Sequence, residues 1–179
     1  LADFDNDGYK DLFVSNGIAG RPNDLDYINF ISRDSAQQYF SDQKLFVQMP
    51  SGRVPNVFFR NDGNLRFKDV SLQWLGNEAT LSNGAAYSDL DNDGDLDLIV
   101  NNINQPASLY RNDVAANGNY IKLKLEGEAA NRHGIGSKII VFAGPQKILH
   151  ENIPVRGWLS SIDPLVHIGL GNFVPDSIE

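Results

Sequence analysis

Two ten-residue runs, DFDNDGYKDL at 3–12 and DLDNDGDLDL at 89–98, carry nine of the 23 acidic residues of this 179-residue chain. They constrain the fold more than any other feature, because they belong to a repeat. Shifting the chain by 86 residues lays 1–16 over 87–102 with nine identities in sixteen positions, in the shared pattern D-x-D-N-D-G-x-x-D-L-x-V-x-N. A second match, PNVFFRND at 55–62 against PASLYRND at 106–113, has an offset of 51, so the first unit holds 35 extra residues between Asn16 and Pro55. Without them the repeat is about fifty residues long, the period of propeller blades and similar arrays. Each unit reads as an acidic loop, an apolar strand (12–15, 98–101) and a second strand (57–60, 108–111). LRFKDVS adds a third strand to the first unit through a hairpin turn at NDGN.

Carboxylates at alternate positions repel one another, by about 4 kcal/mol for unit charges ~4 Å apart at an effective dielectric of ~20. A hard dication offsets that repulsion, and calcium takes six to eight oxygens from loops with ligands at positions 1, 3, 5, 7 and 9 or 12. In the first loop these are Asp3, Asp5, Asp7, the carbonyl of Tyr9, and Asp11; in the second, Asp89, Asp91, Asp93, the carbonyl of Asp95, and Asp97. Gly8 and Gly94 stand at position 6, where the chain turns sharply. Position 12 is Val14 or Val100 within an apolar strand, so neither an EF-hand nor a dockerin-type loop, both of which exit into a helix, fits. The competing explanation is a solvated Asp/Asn/Gly turn. Recurrence of the same five positions disfavours it. Each loop surrounds its ion with its own ligands, so the metal's expected role is structural rather than catalytic, and Asp95 needs to give only its carbonyl.

The extra residues, 17–54, read as a helical excursion: Asn23 or Asp24 as cap, then Tyr27, Phe30, Ile31 and Asp34 at helical spacing. Such an insertion serves either as a contact surface or as cover for a strand edge. From 118 onward no acidic loop recurs. YIKLKLEG alternates strictly, placing Ile121, Leu123 and Leu125 on one face, and SKIIVFAG and QKILHENI read as further strands. The expected division is 1–117, propeller-type units, and 118–179, a small all-β module expected to be incomplete.

The net charge of −8 argues against a nucleic-acid partner, and two dications would bring it to −4. There are no cysteines, hence no disulfides or thiolate chemistry. G-x-S-x-G and H-E-x-x-H are absent, and the richest carboxylate clusters are already explained by metal, so no enzymatic activity is expected. Asn131, Arg132 and His133 precede a glycine-rich turn read as structural. His150 and His167 read as packing residues, and Trp74 and Trp158 as core or edge aromatics rather than sugar platforms. The chain reads as an internal or C-terminal piece of a longer protein.

The pattern D-x-D-N-D-G-x-x-D before an apolar strand resembles the FG-GAP or VCBS-type repeat of integrin α-chain propellers and many bacterial surface proteins. GEAANRHGIGSKIIVFAG, RGWLSS and HIGLGN resemble the ASPIC/UnbV module that follows such repeats. The whole is similar to the C-terminal region of large VCBS-repeat proteins of Bacteroidetes, often surface lipoproteins. The resemblance implies an all-β fold of terminal propeller blades with calcium loops, followed by a small all-β module. It also implies calcium at Asp3, Asp5, Asp7, Asp11, Asp89, Asp91, Asp93 and Asp97, and an extracytoplasmic location at the cell surface or outer membrane. The expected role is binding, adhesion or scaffolding, with a protein or glycan ligand or an outer-membrane uptake complex as partner. The alternative is an extracellular polysaccharide-active enzyme.

Overall fold

In the computed structural model, residues 1–33, 36, 40–113 and 118–179 are described. Asp34, assigned above to a helical face, lies outside them. The fold is all-β with a helical insertion, as expected. The first repeat unit contains β1 (Leu12–Val14), helices α1 (Leu25–Ile31) and α2 (Asp42–Val47), then β2 (Val54–Pro55), β3 (Val57–Asn61) and β4 (Phe67–Asp69). A short helix α3 (Ser71–Trp74) and β5 (Ala79–Thr80) lead to the second unit: β6 (Ser82–Ser88), β7 (Asp97–Asn102) and β8 (Ser108–Tyr110). The C-terminal part contributes β9 (Asn119–Leu123), β10 (Lys138–Ala143), β11 (Gln146–Glu151), β12 (Val155–Gly157), β13 (Ser160–Ser161), β14 (Val166–Gly171) and β15 (Ser177–Ile178).

The two units form congruent antiparallel sheets, β1-β3-β4 and β6-β7-β8. β1 corresponds to β7 and β3 to β8, so each sheet displays a different three strands of one four-strand plan. The plan is a strand, an acidic loop, and three further strands. Alternation drives burial: Leu98 and Val100 of β7 point inward while Ile99 between them faces out. With Ala2, Phe4, Phe58, Val70 and Leu96 they build the first core. Edge-to-face aromatic contacts tie it together, Phe4 on Phe58 at 4.9 Å and Phe58 on Trp74 at 4.8 Å. Phe4 and Leu96 are themselves loop residues, so each acidic loop is anchored to the core by one apolar side chain.

The insertion enters at a preserved turn. In the second unit Asn102 Nδ2 donates to the carbonyl of Pro106 at 2.9 Å; in the first, Asn16 Nδ2 makes the same bond to Pro55 at 2.6 Å. The extra residues therefore bulge from a turn whose closing bond is intact. Their base is clipped by the Gly20–Ser51 bridge and by Arg21 N–H donating to the Pro50 carbonyl at 2.9 Å. Asp24 caps α1, accepting from the amides of Asp26 and Tyr27, and the Tyr27 hydroxyl donates to the Leu45 carbonyl of α2. The second helix was not foreseen, because six residues are too few to display a helical period.

The second core, Ile139, Val141, Ala143, Val166, Ile168 and Leu170, lies between the β9-β14 ribbon and the β11-β10-β15 sheet. Ile121, Leu123 and Leu125 pack against it, as their alternation required. NRHGIGSK is a structural turn: the Asn131 side chain bonds Ile135 through both its oxygen and its nitrogen. Trp74 is a core aromatic, as expected, whereas Trp158 is neither core nor packed edge. It is 73% exposed at the tip of the β12–β13 hairpin.

Phe58, 3% exposed, touches three other rings. Truncation to alanine should cost about 3–5 kcal/mol in chemical denaturation. Leu109→Ala on the exposed face of β8 should cost no more than about 0.5 kcal/mol.

Candidate metal centre

The two acidic loops take a closely similar course because most of the hydrogen bonds that position their residues are equivalent. Asn6 and Asn92 adopt left-handed backbone (φ 57° and 63°), as do Gly8 and Gly94 (φ 93° and 101°). At Gly94 space enforces the same choice, since a Cβ would lie 2.3 Å from the Tyr120 ring. The position 1 carboxylate closes the turn: Asp3 accepts from Gly8 N–H at 2.8 Å, and Asp89 from Gly94 N–H at 2.9 Å. The position 9 carboxylate ties the loop to both ends of its unit. Asp11 accepts from the amides of Phe4 (3.0 Å) and Asn61 (2.9 Å), and Asp97 from those of Leu90 (2.9 Å) and Asn112 (2.8 Å). Asn61 and Asn112 also donate from their side chains to the loop carbonyls of Lys10 and Leu96. These two asparagines, the N of the repeated RND, organise the loops and were overlooked, although the 51-residue offset had aligned them.

The result is two clusters. One carboxylate oxygen from each of Asp3, Asp5 and Asp11 lies within 4.8 Å of the others, and Asp89, Asp91 and Asp97 do the same. Three of the four expected side chains in each loop are thus brought together. Asp7 and Asp93 stand at the rim, each accepting the amide two residues on, from Tyr9 (2.7 Å) and Asp95 (2.9 Å). Tyr9 is largely exposed, whereas Asp95 at the equivalent place is buried. Its carboxylate accepts from Asn6 Nδ2 at 3.0 Å, so the side chain has a role beyond the carbonyl assigned to it above.

Whether these residues fit a cation is answered by the atoms left over. Asp5 Oδ1 and Asp89 Oδ1 are buried and have no hydrogen-bond partner. A buried carboxylate oxygen without a donor is costly, and a hard cation satisfies it with the all-oxygen chemistry it prefers. Without one, the first loop resists ionisation. Burial, reinforced by Asp7, Asp5 and Asp11, pushes Asp3 up to about 8. Burial likewise raises Asp11 to about 7 and Asp7 to about 6, and lifts Asp5. The second loop differs. Burial works to raise Asp89, but the Lys122 ammonium and the Gly94 N–H outweigh it and leave the carboxyl below its ordinary value. Lys122 comes from β9 and forms an ion pair with Asp89 Oδ2.

The C-terminal module is built against both loops. Asn6, fully buried, is the joint. Its Nδ2 donates to the Gly94 carbonyl at 3.2 Å as well as to Asp95, and its own carbonyl accepts from Gly171 N–H at 2.8 Å. With Nδ2 spent as donor, Asn6 Oδ1 accepts from His167 Nε2 at 2.7 Å. His167, stacked on Tyr120 at 5.1 Å, therefore links the modules rather than merely packing. Gly169 is required by close approach: a Cβ there would lie 2.0 Å from Asp3 Oδ2.

The raised carboxyls set a pH dependence for the metal-free chain. A carboxyl with a folded pKa above its unfolded value stabilises the fold below the unfolded value and loses that contribution as pH rises through the folded one. For Asp3 this window runs from 3.8 to about 8. Thermal melts of chelator-treated protein should show stability falling across it, and Asp3→Asn should flatten the fall.

No curated protein matches the chain. Two families do: residues 3–100 match the FG-GAP-like repeat, covering both acidic loops, and residues 127–179 match ASPIC and UnbV, covering β10 to β15. The chain therefore belongs to the FG-GAP-like repeat family and carries a C-terminal ASPIC and UnbV domain.

Proposed function

We propose that the chain is a non-catalytic, calcium-stabilised binding module of a protein exposed outside the cytoplasm. The observation that carries this reading is the pair of congruent carboxylate clusters, each with a buried oxygen that no protein donor reaches. Asp3, Asp5 and Asp11 would hold one ion and Asp89, Asp91 and Asp97 the other, with Asp7 and Asp93 completing each shell from the rim. The ion supplies charge neutralisation and cross-links strand to loop. Calcium suits the loops better than magnesium, which keeps more of its own water and uses fewer protein oxygens. FG-GAP-like repeats are typical of extracellular or surface proteins, which supports the location. No helix among the described residues is long and apolar enough to cross a membrane.

The partner we favour is a protein or glycan at the cell surface. The insertion presents Leu25, Phe46 and Val47, each more than 60% exposed, on helices held away from the sheets. Because its base is closed by the Gly20–Ser51 bridge, removing 21–50 and joining the ends by a short turn should leave calcium binding unchanged while abolishing partner capture. Equilibrium dialysis of the deletion variant for calcium measures the first half of that expectation directly.

Calcium at about 100 times its dissociation constant should stabilise the chain by about 2.7 kcal/mol per site, reversed by chelator. Asp5→Ala and Asp91→Ala should each remove one site's share, whereas Asp95→Asn, which keeps an acceptor for Asn6, should remove neither. Identical melting curves with calcium and with chelator would overturn the reading.

A further inference from the structure

The two modules enclose a cavity of about 130 Å³ between the acidic loops and the C-terminal sheet. Its volume is about four times a water molecule's share of the liquid, ~30 Å³. Lys10, Tyr87, His150 and Arg156 line it, drawn from the first loop, β6, β11 and β12. No one element could have built this lining, because Lys10 and Tyr87 belong to the repeat units and His150 and Arg156 to the other module.

Three cationic and three acidic side chains reach it, Lys10, Lys122 and Arg156 against Asp3, Asp89 and Asp163, and of these only Lys122 and Asp89 form an ion pair. Neither Lys10 nor Arg156 has a carboxylate within ion-pair distance among the described residues. Lys10 lies close enough to Arg156 for the two cations to act on each other, and close enough to Asp3 to feel its charge in the opposite sense. Arg156 spends Nη2 on the Glu151 carbonyl at 2.6 Å, while its Nε is buried without a partner. The guanidinium also faces the Tyr87 hydroxyl. The acidic residues of the cavity are hydrogen-bonded too, though only Asp89 meets a cation. Asp3 accepts from the amides of Asp7 and Gly8, Asp89 takes Lys122, and Asp163 accepts from Leu165 N–H. His150, held neutral by burial and by Lys10 and Arg156, with a pKa lowered to about 4, adds a ring N–H without adding charge.

Two cations outside any ion pair among the described residues, Lys10 and Arg156, lining one small polar cavity, suit an anion with planar or tetrahedral oxygens. Arginine suits such groups because its N–H donors match the spacing of carboxylate and phosphate oxygens. We propose that this cavity is an oxyanion-binding site, in which Arg156 and Lys10 hold the carboxylate or phosphate group of a small ligand and Tyr87 and His150 orient it. The site borders the metal clusters, because Asp3 and Asp89 line the same cavity, so each titration below is run both with calcium and with chelator.

The test uses the 179-residue chain and two probes, methyl phosphate and acetate, titrated calorimetrically against sodium chloride of equal ionic strength, with the His150 ring resonances followed by NMR. Saturable binding at one site per chain with a shift of the His150 signals is expected for at least one probe. Methyl phosphate alone binding assigns a phosphate ligand; acetate alone assigns a carboxylate. Arg156→Gln and Lys10→Gln should each weaken binding by about 10- to 100-fold, the range for one charge-assisted hydrogen bond. Should Arg156→Gln fail to fold, Lys10→Gln decides by the same criterion. Failure of both probes to bind saturably, or binding unaffected by the substitutions, would overturn the proposal.

Discussion

Repulsion among carboxylates held within 4.8 Å of one another is the constraint on which the structure depends. The backbone leaves the loops little freedom to relieve it. Position 1 is tied to the glycine amide, position 9 to two amides of its own unit, and an apolar side chain from each loop is sunk in the core. The loop is thus held in the form that concentrates charge, and burial leaves protonation or a cation as the ways to reduce it. That explains why the first cluster's acidity is shifted so far, and why metal binding and folding become one equilibrium in a loop of this kind.

The same constraint makes the modules interdependent. Asn6 sits in the first loop, yet its hydrogen bonds reach the second loop and β14 of the C-terminal domain. Lys122 of β9 pairs with Asp89 of the second loop. The two loops are therefore unequal: Asp89 of the second forms an ion pair with a protein cation, whereas Arg60 eases the charge of Asp5 and Asp7 in the first without an ion pair to them. The first loop and β14 approach each other so closely that Gly169 leaves no room for a side chain against Asp3.

Local pattern made much of this legible. The loops, the strands that follow them, the insertion point and the alternation at Ile121, Leu123 and Leu125 are short-range signals, visible as periods of two or as repeated spacing. What the pattern could not convey were contacts between distant residues. The Asn6–Asp95 bond spans 89 positions and the His167–Asn6 bond 161. Asp95 looked dispensable beside Tyr9 because an alignment of two loops compares residues that never meet, whereas its side chain serves the neighbouring loop. The exposure of Trp158 was likewise invisible, since the RGWLSS hairpin is too short to show an inward face. Asn61 and Asn112 were in plain view in the repeated RND, but their function emerges only when β3 and β8 return beside the loops.

The central claim is that each loop is completed by one divalent ion that displaces protons from its carboxyls. Calcium titration calorimetry at pH 6–7, repeated in buffers of different ionisation enthalpy, measures stoichiometry and proton release together. The account predicts two ions per chain, with net proton release dominated by the first loop, where Asp3, Asp11 and Asp7 are raised to about 8, 7 and 6. Binding without proton release, or no binding at all, would contradict it.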